Sequence, residues 1–170
     1  MHDRAAELRQ SFDRSFAHAW DSEHTTSESL LALGIRSHHY AVRMSDVSGL
    51  FVDKNVTHLP SPVAALSGLA GFRGTVLPIY DLGLLLGHPK AAAPRWLIVT
   101  AGTPVGLAFD AFDGHLRVRP DAIVPQLRAG HGRHIQDVLH ADVIRPIVHV
   151  ASVLASIKSL APGGPAKEQE

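Results

Sequence analysis

GFRGTVLPIYDLGLLLG, residues 71–87, is an apolar stretch interrupted by one arginine, Arg73, and one aspartate, Asp81. The pair Gly74-Thr75 suits the centre of a two-residue type II′ hairpin, in which glycine supplies the positive φ that the turn requires. Strands are therefore expected over 68–73 and 75–80, with Arg73 at the tip. A charge there keeps its guanidinium in water while its stem lies over apolar surface. Pro78 cannot donate to a ladder, which predicts that the second strand is an edge strand or is bulged. Asp81 is a candidate N-cap for a short helix over 81–86, and Gly87 is its candidate stop. Physics alone leaves two roles open for Arg73. It is either a solubilising gatekeeper or an interface anchor of the kind for which arginine is over-represented at binding hot spots.

On both sides of this stretch the same texture continues: short runs rich in β-branched residues, broken by Gly, Pro, Asp and Ser every eight to twelve positions. That spacing predicts an all-β sandwich or barrel. Further strands are expected near 29–36, 39–44, 47–52, 95–100, 104–110, 115–119, 133–140 and 143–150, with a short C-terminal helix over 151–159. They fall into two similar groups, about 29–90 and 95–150, joined through GHPKAAAP. Upstream, Leu8, Phe12, Phe16 and Trp20 recur every fourth residue and line one stripe of an amphipathic helix over 4–20. The hydroxyl-rich SEHTTSES that follows reads as a linker. The organisation predicted is a helical extension and linker over 1–27, a β body over 28–160, and a disordered tail over 161–170.

The 170 residues suit one domain or two small subdomains sharing a core. Hydrophobic residues make up 45% and charged residues 19%, the balance of an ordinary soluble globular chain. Sixteen basic and sixteen acidic residues cancel without a dense cationic block, so a nucleic-acid partner is not expected. No cysteine is present, which removes disulfides, thiolate metal sites and thiol nucleophiles. The charged N-terminus is unlike a secretory signal. The apolar run around Leu82–Leu86 is far below the ~18 residues that span a bilayer. A cytoplasmic protein without direct membrane insertion is the expectation.

Chemistry is hard to find. P-loop, G-x-G-x-x-G and G-x-S-x-G patterns are all missing from the sequence. Twelve histidines include the H-G-R-H of residues 131–134, which could present two imidazoles to a metal but has no third ligand pattern. Asp110 and Asp113 in FDAFDG resemble a carboxylate pair, yet Asp before Gly at a strand end is common turn chemistry. No catalytic residue, metal ligand or cofactor is predicted.

The segment L59-P60-S61-P62 through G68-L69-A70-G71-F72-R73-G74-T75-V76-L77-P78-I79-Y80-D81-L82 resembles the signature of the CheW adaptor family of bacterial chemosensory arrays. That family typically shows L-P, a short loop, G-x-x-N-x-R-G-x-x-x-P-x-x-D-L, and then a leucine-rich turn. V105-G106-L107-A108-F109-D110 is similar to the family's second-half strand, and I144-R145-P146-I147-V148-H149-V150 with Leu154 to its closing strand and helix. The resemblance covers about residues 29–159. It implies two small five-stranded β-barrels packed on a shared core, a protein with no enzymatic activity, and no cofactor. It also implies two partners: the cytoplasmic tip of a chemoreceptor and the regulatory domain of a chemotaxis histidine kinase. On this likeness the receptor contacts are Arg73, Gly74, Phe72 and Val76. Val47, Gly49 and Leu50 are kinase-binding or barrel-edge contacts, and Pro78, Asp81, Leu82 and Asp110 are structural motif positions.

Two positions depart from the family pattern. Its asparagine before the R-G motif is Gly71 here, and the acid of its V-x-E-I strand falls in Val47-Ser48-Gly49-Leu50, where no carboxylate stands. The N-terminal helix is a third difference, with a stripe that packs on its own barrel, binds a partner, or pairs two copies. The function expected is a scaffold that couples receptor to kinase and is recruited to membrane-associated arrays. The alternatives are an adaptor of a non-flagellar pathway, such as pilus motility or development, and a metal-binding β-barrel enzyme using the histidine-rich 131–140 region.

Overall fold

The computed structural model describes residues 27–90, 94–126 and 132–160. The expected helix over 4–20 and the tail over 161–170 lie outside them. The described chain runs β1 (Glu28–Ile35), β2 (His38–Arg43), β3 (Val47–Val52), β4 (Leu66–Phe72), β5 (Thr75–Asp81), α1 (Leu82–Leu85), β6 (Trp96–Thr100), β7 (Gly106–Phe109), β8 (Ala111–Val118), β9 (Ile123–Pro125), β10 (Ile135–Leu139), β11 (Arg145–Val148) and α2 (Val150–Leu160).

These strands make two sheets, one of six strands in the order β8-β1-β2-β11-β10-β9 and one of five in the order β3-β6-β7-β5-β4. The fold is mostly β with few helices, as expected, but the five-plus-five closed barrels are not what forms. In the five-stranded sheet the two edges meet through side chains rather than a ladder: Phe51 of β3 and Phe72 of β4 pack edge to face, 4.8 Å between ring centroids. Leu116 and Val118 of β8 face the same small core as Ile123 of β9 at the mouth of the other sheet. Each sheet curls around an interior without sealing it.

The strands also group differently from the predicted split into 29–90 and 95–150. β1 pairs with β8, and β2 pairs in parallel with β11 at Ile147↔Ala41 and Val148↔Val42. The six-stranded sheet is thus assembled from both ends of the chain, with the five-stranded sheet (β3 to β7) inserted between them. β8 begins at Ala111, four residues before the expected strand, and three-residue β9 was not expected at all.

Alternation explains how one chain fills three cores. Successive strand residues point to opposite faces, so Ile98 and Leu107 face the large core shared by both sheets while Leu97, Val99 and Ala108 face the interior of the five-stranded sheet. Likewise Tyr40 and Val42 join the shared core, and Ala41 turns into the six-stranded sheet's interior with Leu30, Leu139 and Ile147. Val150, Val153 and Ile157, spaced at helical intervals, lay α2 on the shared core. Each such fully buried aliphatic side chain stabilises the fold by about 1.5–3 kcal/mol. Among the described residues no helix is long and apolar enough to cross a membrane.

α1 is stopped at both ends as the sequence predicts. Asp81 accepts a hydrogen bond from the Leu84 N–H at 3.1 Å. Gly87 takes φ 92°. The N–H groups of Gly87 and His88 donate to the Leu84 and Gly83 carbonyls at 3.1 and 2.9 Å, a Schellman closure.

Candidate functional site

The hairpin over the opening stretch differs in its turn from expectation. Phe72 pairs with Thr75, so the two loop residues are Arg73 and Gly74, with φ 46° and 83°. Two successive left-handed residues make this a type I′ turn, whose twist matches that of the flanking strands, rather than the expected II′ turn at Gly74-Thr75. Arg73 still occupies the tip. It is exposed, and among the described residues it makes no hydrogen bond or ion pair. Val76, two residues beyond the turn, is 63% exposed.

Phe72, expected among the contacts, instead points inward with only 7% exposure and joins Ala70, Leu77 and Ile79 in the five-stranded sheet's interior. Enclosed by its own sheet, the ring underlies the tip. Lys54 lies over the Phe51 and Phe72 rings, 5.5 and 5.1 Å from their centroids. Neighbouring Asp53 is engaged by Arg95 through two hydrogen bonds of 2.8 and 2.7 Å. The hairpin end therefore carries two cations, Arg73 and Lys54, without a free carboxylate among these neighbours. Pro78 is not on an edge strand, since β5 lies between β7 and β4. It avoids spoiling the ladder because pairing with β7 begins one residue later, at Ile79↔Gly106.

The other contact set lies on β3, an open edge of the five-stranded sheet. Val47 and Leu50 are half-buried against the shared core. Gly49 leaves room for Phe51, whose ring would stand 2.7 Å from a Cβ there. The structure brings the Phe51 end of β3 to the hairpin but leaves Val47 at the far end, paired with Thr100.

The sequence reading missed Arg36. Its Nη1 donates to Asp110 Oδ1 and Oδ2 at 2.6 and 2.9 Å, its Nη2 to Asp81 Oδ1 and Oδ2 at 3.0 and 2.7 Å, and its Nε to the Pro89 carbonyl at 3.1 Å. Its backbone N–H adds a 2.6 Å bond to Asp110. Burial disfavours the charge, but the bonds to Asp110 and Asp81 outweigh that cost and raise the guanidinium pKa. This trio, with Arg36 and Asp81 buried and Asp110 partly exposed, ties the β1–β2 turn to the end of β5 and the β7–β8 junction. Asp113, the other carboxylate of FDAFDG, is held separately by Arg145 and His39. The two aspartates thus serve different partners.

Beside the trio, the Tyr40 hydroxyl meets His88 Nε2 at 2.7 Å, with the His38 ring 5.0 Å from that of His88. Burial first, then the positive fields of His38 and Arg36, hold the His88 pKa below its ordinary value of 6.5. A depressed histidine is neutral in both states above pH ~6.5 and binds its proton more readily when unfolded below it. Stability should accordingly fall as pH drops from about 6.5 towards the lower folded pKa. Melting curves at pH 7.5 and 5.5 test this: the difference should shrink in His88→Gln, and an unchanged difference removes His88 from the account.

Among the described residues, no group of three or more His, Cys, Asp or Glu side chains is placed to hold a metal ion. His131 lies outside those residues, and His134 Nδ1 shares a 2.7 Å hydrogen bond with Ser152 Oγ. A cavity of about 630 Å³ lies under the 56–65 loop, walled by Val56, Pro60, Val63, Ile79 and Leu84, with Asp81 at its side.

The family model of the CheW-like domain matches residues 29–158 of this chain. The crystal structure of the CheW scaffolding protein from Thermoanaerobacter tengcongensis has a similar fold, with a TM-score of 0.66 at 19% sequence identity, over 71% of this chain and 88% of that one. No curated protein sequence matches the chain.

Proposed function

Because this chain belongs to the CheW-like domain family, we propose that it is a non-catalytic scaffold in a bacterial chemosensory array, coupling the cytoplasmic tip of a chemoreceptor to the regulatory domain of a chemotaxis histidine kinase. The observation that carries this reading is Arg73: an unpaired guanidinium on a two-residue turn, next to exposed Val76 and braced from beneath by buried Phe72. An unpaired arginine beside exposed apolar surface is of the kind enriched at docking hot spots. A helical receptor tip docks through apolar anchors and leaves its acidic side chains to the cation. The kinase domain is assigned to the open edge of β3 at Val47, Gly49 and Leu50, where a strand edge is free to be covered. Signal passes only if these contacts differ between receptor states. The protein works in the cytoplasm and is recruited to arrays through its receptor.

Arg73→Glu should weaken receptor binding by about 2 kcal/mol or more, since it places like charge against the partner's acids. Titration calorimetry with a soluble receptor-tip fragment reads this directly, and an unchanged affinity removes Arg73 from the site. Kinase binding by the same variant should be intact, because β3's contacts are on another edge.

A further inference from the structure

The 56–65 loop is pinned at both ends by backbone hydrogen bonds, Thr57 with Leu69 on one side and the Asp81 N–H to the Ala65 carbonyl at 2.8 Å on the other. Between these ties lies the cavity of about 630 Å³. Protein interiors rarely keep a void larger than a water molecule, and this one has the size of pockets that take whole small molecules, ~300–1,000 Å³. β4 is bent to line it. Leu66 and Ser67 are consecutive, so in a regular strand they would face opposite sides, yet both line the cavity. The register slips between Leu66 and Gly68, and a bulge of this kind re-aims a side chain, often beside a functional site.

The chemistry of the wall selects that of the ligand. Val63, Leu66, Ile79 and Leu84 make it largely apolar. Asp81, the one carboxylate among the described lining residues, is saturated: Oδ1 accepts from Arg36 Nη2 and the Leu84 N–H, and Oδ2 accepts from Arg36 Nη2. What is left for a ligand is donors. Lys90 lines the cavity and is exposed, and among the described residues its ammonium makes no hydrogen bond or ion pair. The Ser61 hydroxyl accepts from the Val63 N–H at 3.1 Å and keeps its own O–H to donate. The Ser67 side chain adds a second hydroxyl, while its carbonyl is bonded to His58 Nδ1 at 3.2 Å. An apolar chamber whose free polar groups are an ammonium and two hydroxyls suits an apolar body that carries an anion.

We infer that the cavity is a binding site for a free amphipathic carboxylate, an aliphatic acid of medium length whose tail lies among Val63, Leu66, Ile79 and Leu84 and whose carboxylate meets Lys90. Its lining includes none of residues 47–50 or 71–76, so the site stands apart from the docking roles proposed for the hairpin tip and the β3 edge. A ligand bound there ties the loop to β5 and α1 and stabilises the folded chain by mass action.

Decanoate titrated into the full-length protein tests this, with decanol as its uncharged counterpart. Decanoate should saturate a single site, shift the methyl resonances of Val63, Leu66, Ile79 and Leu84, and raise the melting temperature as its concentration rises. Decanol should bind about threefold or more weaker. Lys90→Gln changes an exposed side chain and should weaken decanoate about threefold or more while leaving decanol as it was. Ser67→Phe, at the bulge, fills the chamber and should weaken both about tenfold or more. Methyl shifts scattered over the surface, or no saturation before the probe forms micelles, overturn the site. Equal affinities for decanoate and decanol overturn the choice of a carboxylate. Should Ser67→Phe disturb folding, Lys90→Gln and the methyl shifts decide: a decanoate affinity unchanged by Lys90→Gln overturns the inference.

Discussion

Arg36→Ala should destabilise the protein by about 3–5 kcal/mol, which at this chain length corresponds to a fall in melting temperature of roughly 10 °C. The side chains of Arg36 and Asp81 are each only 8% exposed, so removing the guanidinium strands Asp81 and much of Asp110 away from water. Loss of one member of a buried set costs far more than the pair contributes, because the uncompensated charges are left behind. The surface pair Arg95–Asp53, at 69% and 58% exposure, should by contrast matter little. The turn itself should survive, since alanine keeps the backbone N–H that donates to Asp110. Arg36 and Ser37 have φ 50° and 66°, a left-handed pair without glycine, strained by about 1–3 kcal/mol per residue. The backbone bond from Arg36 to Asp110 holds that turn in place. Urea denaturation measures the loss, and a shift smaller than about 1 kcal/mol would show that water replaces the guanidinium without penalty. The Asp81→Asn, Asp110→Asn double variant offers a sharper check. With the carboxylates neutral, Arg36→Ala should cost measurably less than it does in the parent, because coupled partners are not additive.

Arg36 also marks where reading the sequence stopped. Asp81 was legible as a cap because an N-cap acts on its own helix three residues away, and Leu84 receives that bond. Its second duty, to an arginine 45 residues back, has no local signature. Asp110 read as turn chemistry for the same reason: its partner is 74 residues distant. Strand positions from β1 to β7 were legible because alternation and turn residues are local, whereas the parallel β2–β11 pairing that gathers both chain ends into one sheet is not. The tip of the hairpin was found, but the turn was displaced by one residue. Glycine's need for positive φ points to Gly74-Thr75, while the pairing of Phe72 with Thr75 makes Arg73 share the left-handed conformation. Exposure at the tip was legible from charge, and the inward aim of Phe72 follows from alternation once the register is known.

Gly68→Ala should cost about 2–4 kcal/mol, and the loss should be local before it is global. Gly68 has φ 147°, a region closed to side chains, and a Cβ there would stand 2.0 Å from the Thr57 carbonyl oxygen. The contact is with backbone, so no rotamer change relieves it. Thr57 and Leu69 exchange two backbone hydrogen bonds of 2.8 and 2.9 Å, the stitch that holds the 56–65 loop against β4. An alanine methyl forces that stitch open and lifts Val56 and Pro60 from the cavity they wall. Hydrogen exchange should accelerate at the Thr57 and Leu69 amides while the Leu107 and Ile98 amides of the central strands remain protected. Limited proteolysis should then cut between residues 53 and 65. Arg73 follows Gly68 by only five residues, so on the proposed docking role of the hairpin the affinity for a receptor tip should fall in the same variant. Protected amides at Thr57 and Leu69, together with a melting temperature within about 1 °C of the parent, would mean that the strand absorbs the methyl by shifting. The close approach of loop to strand would then be a convenience of packing, and the glycine that opens the family motif would have no steric duty here.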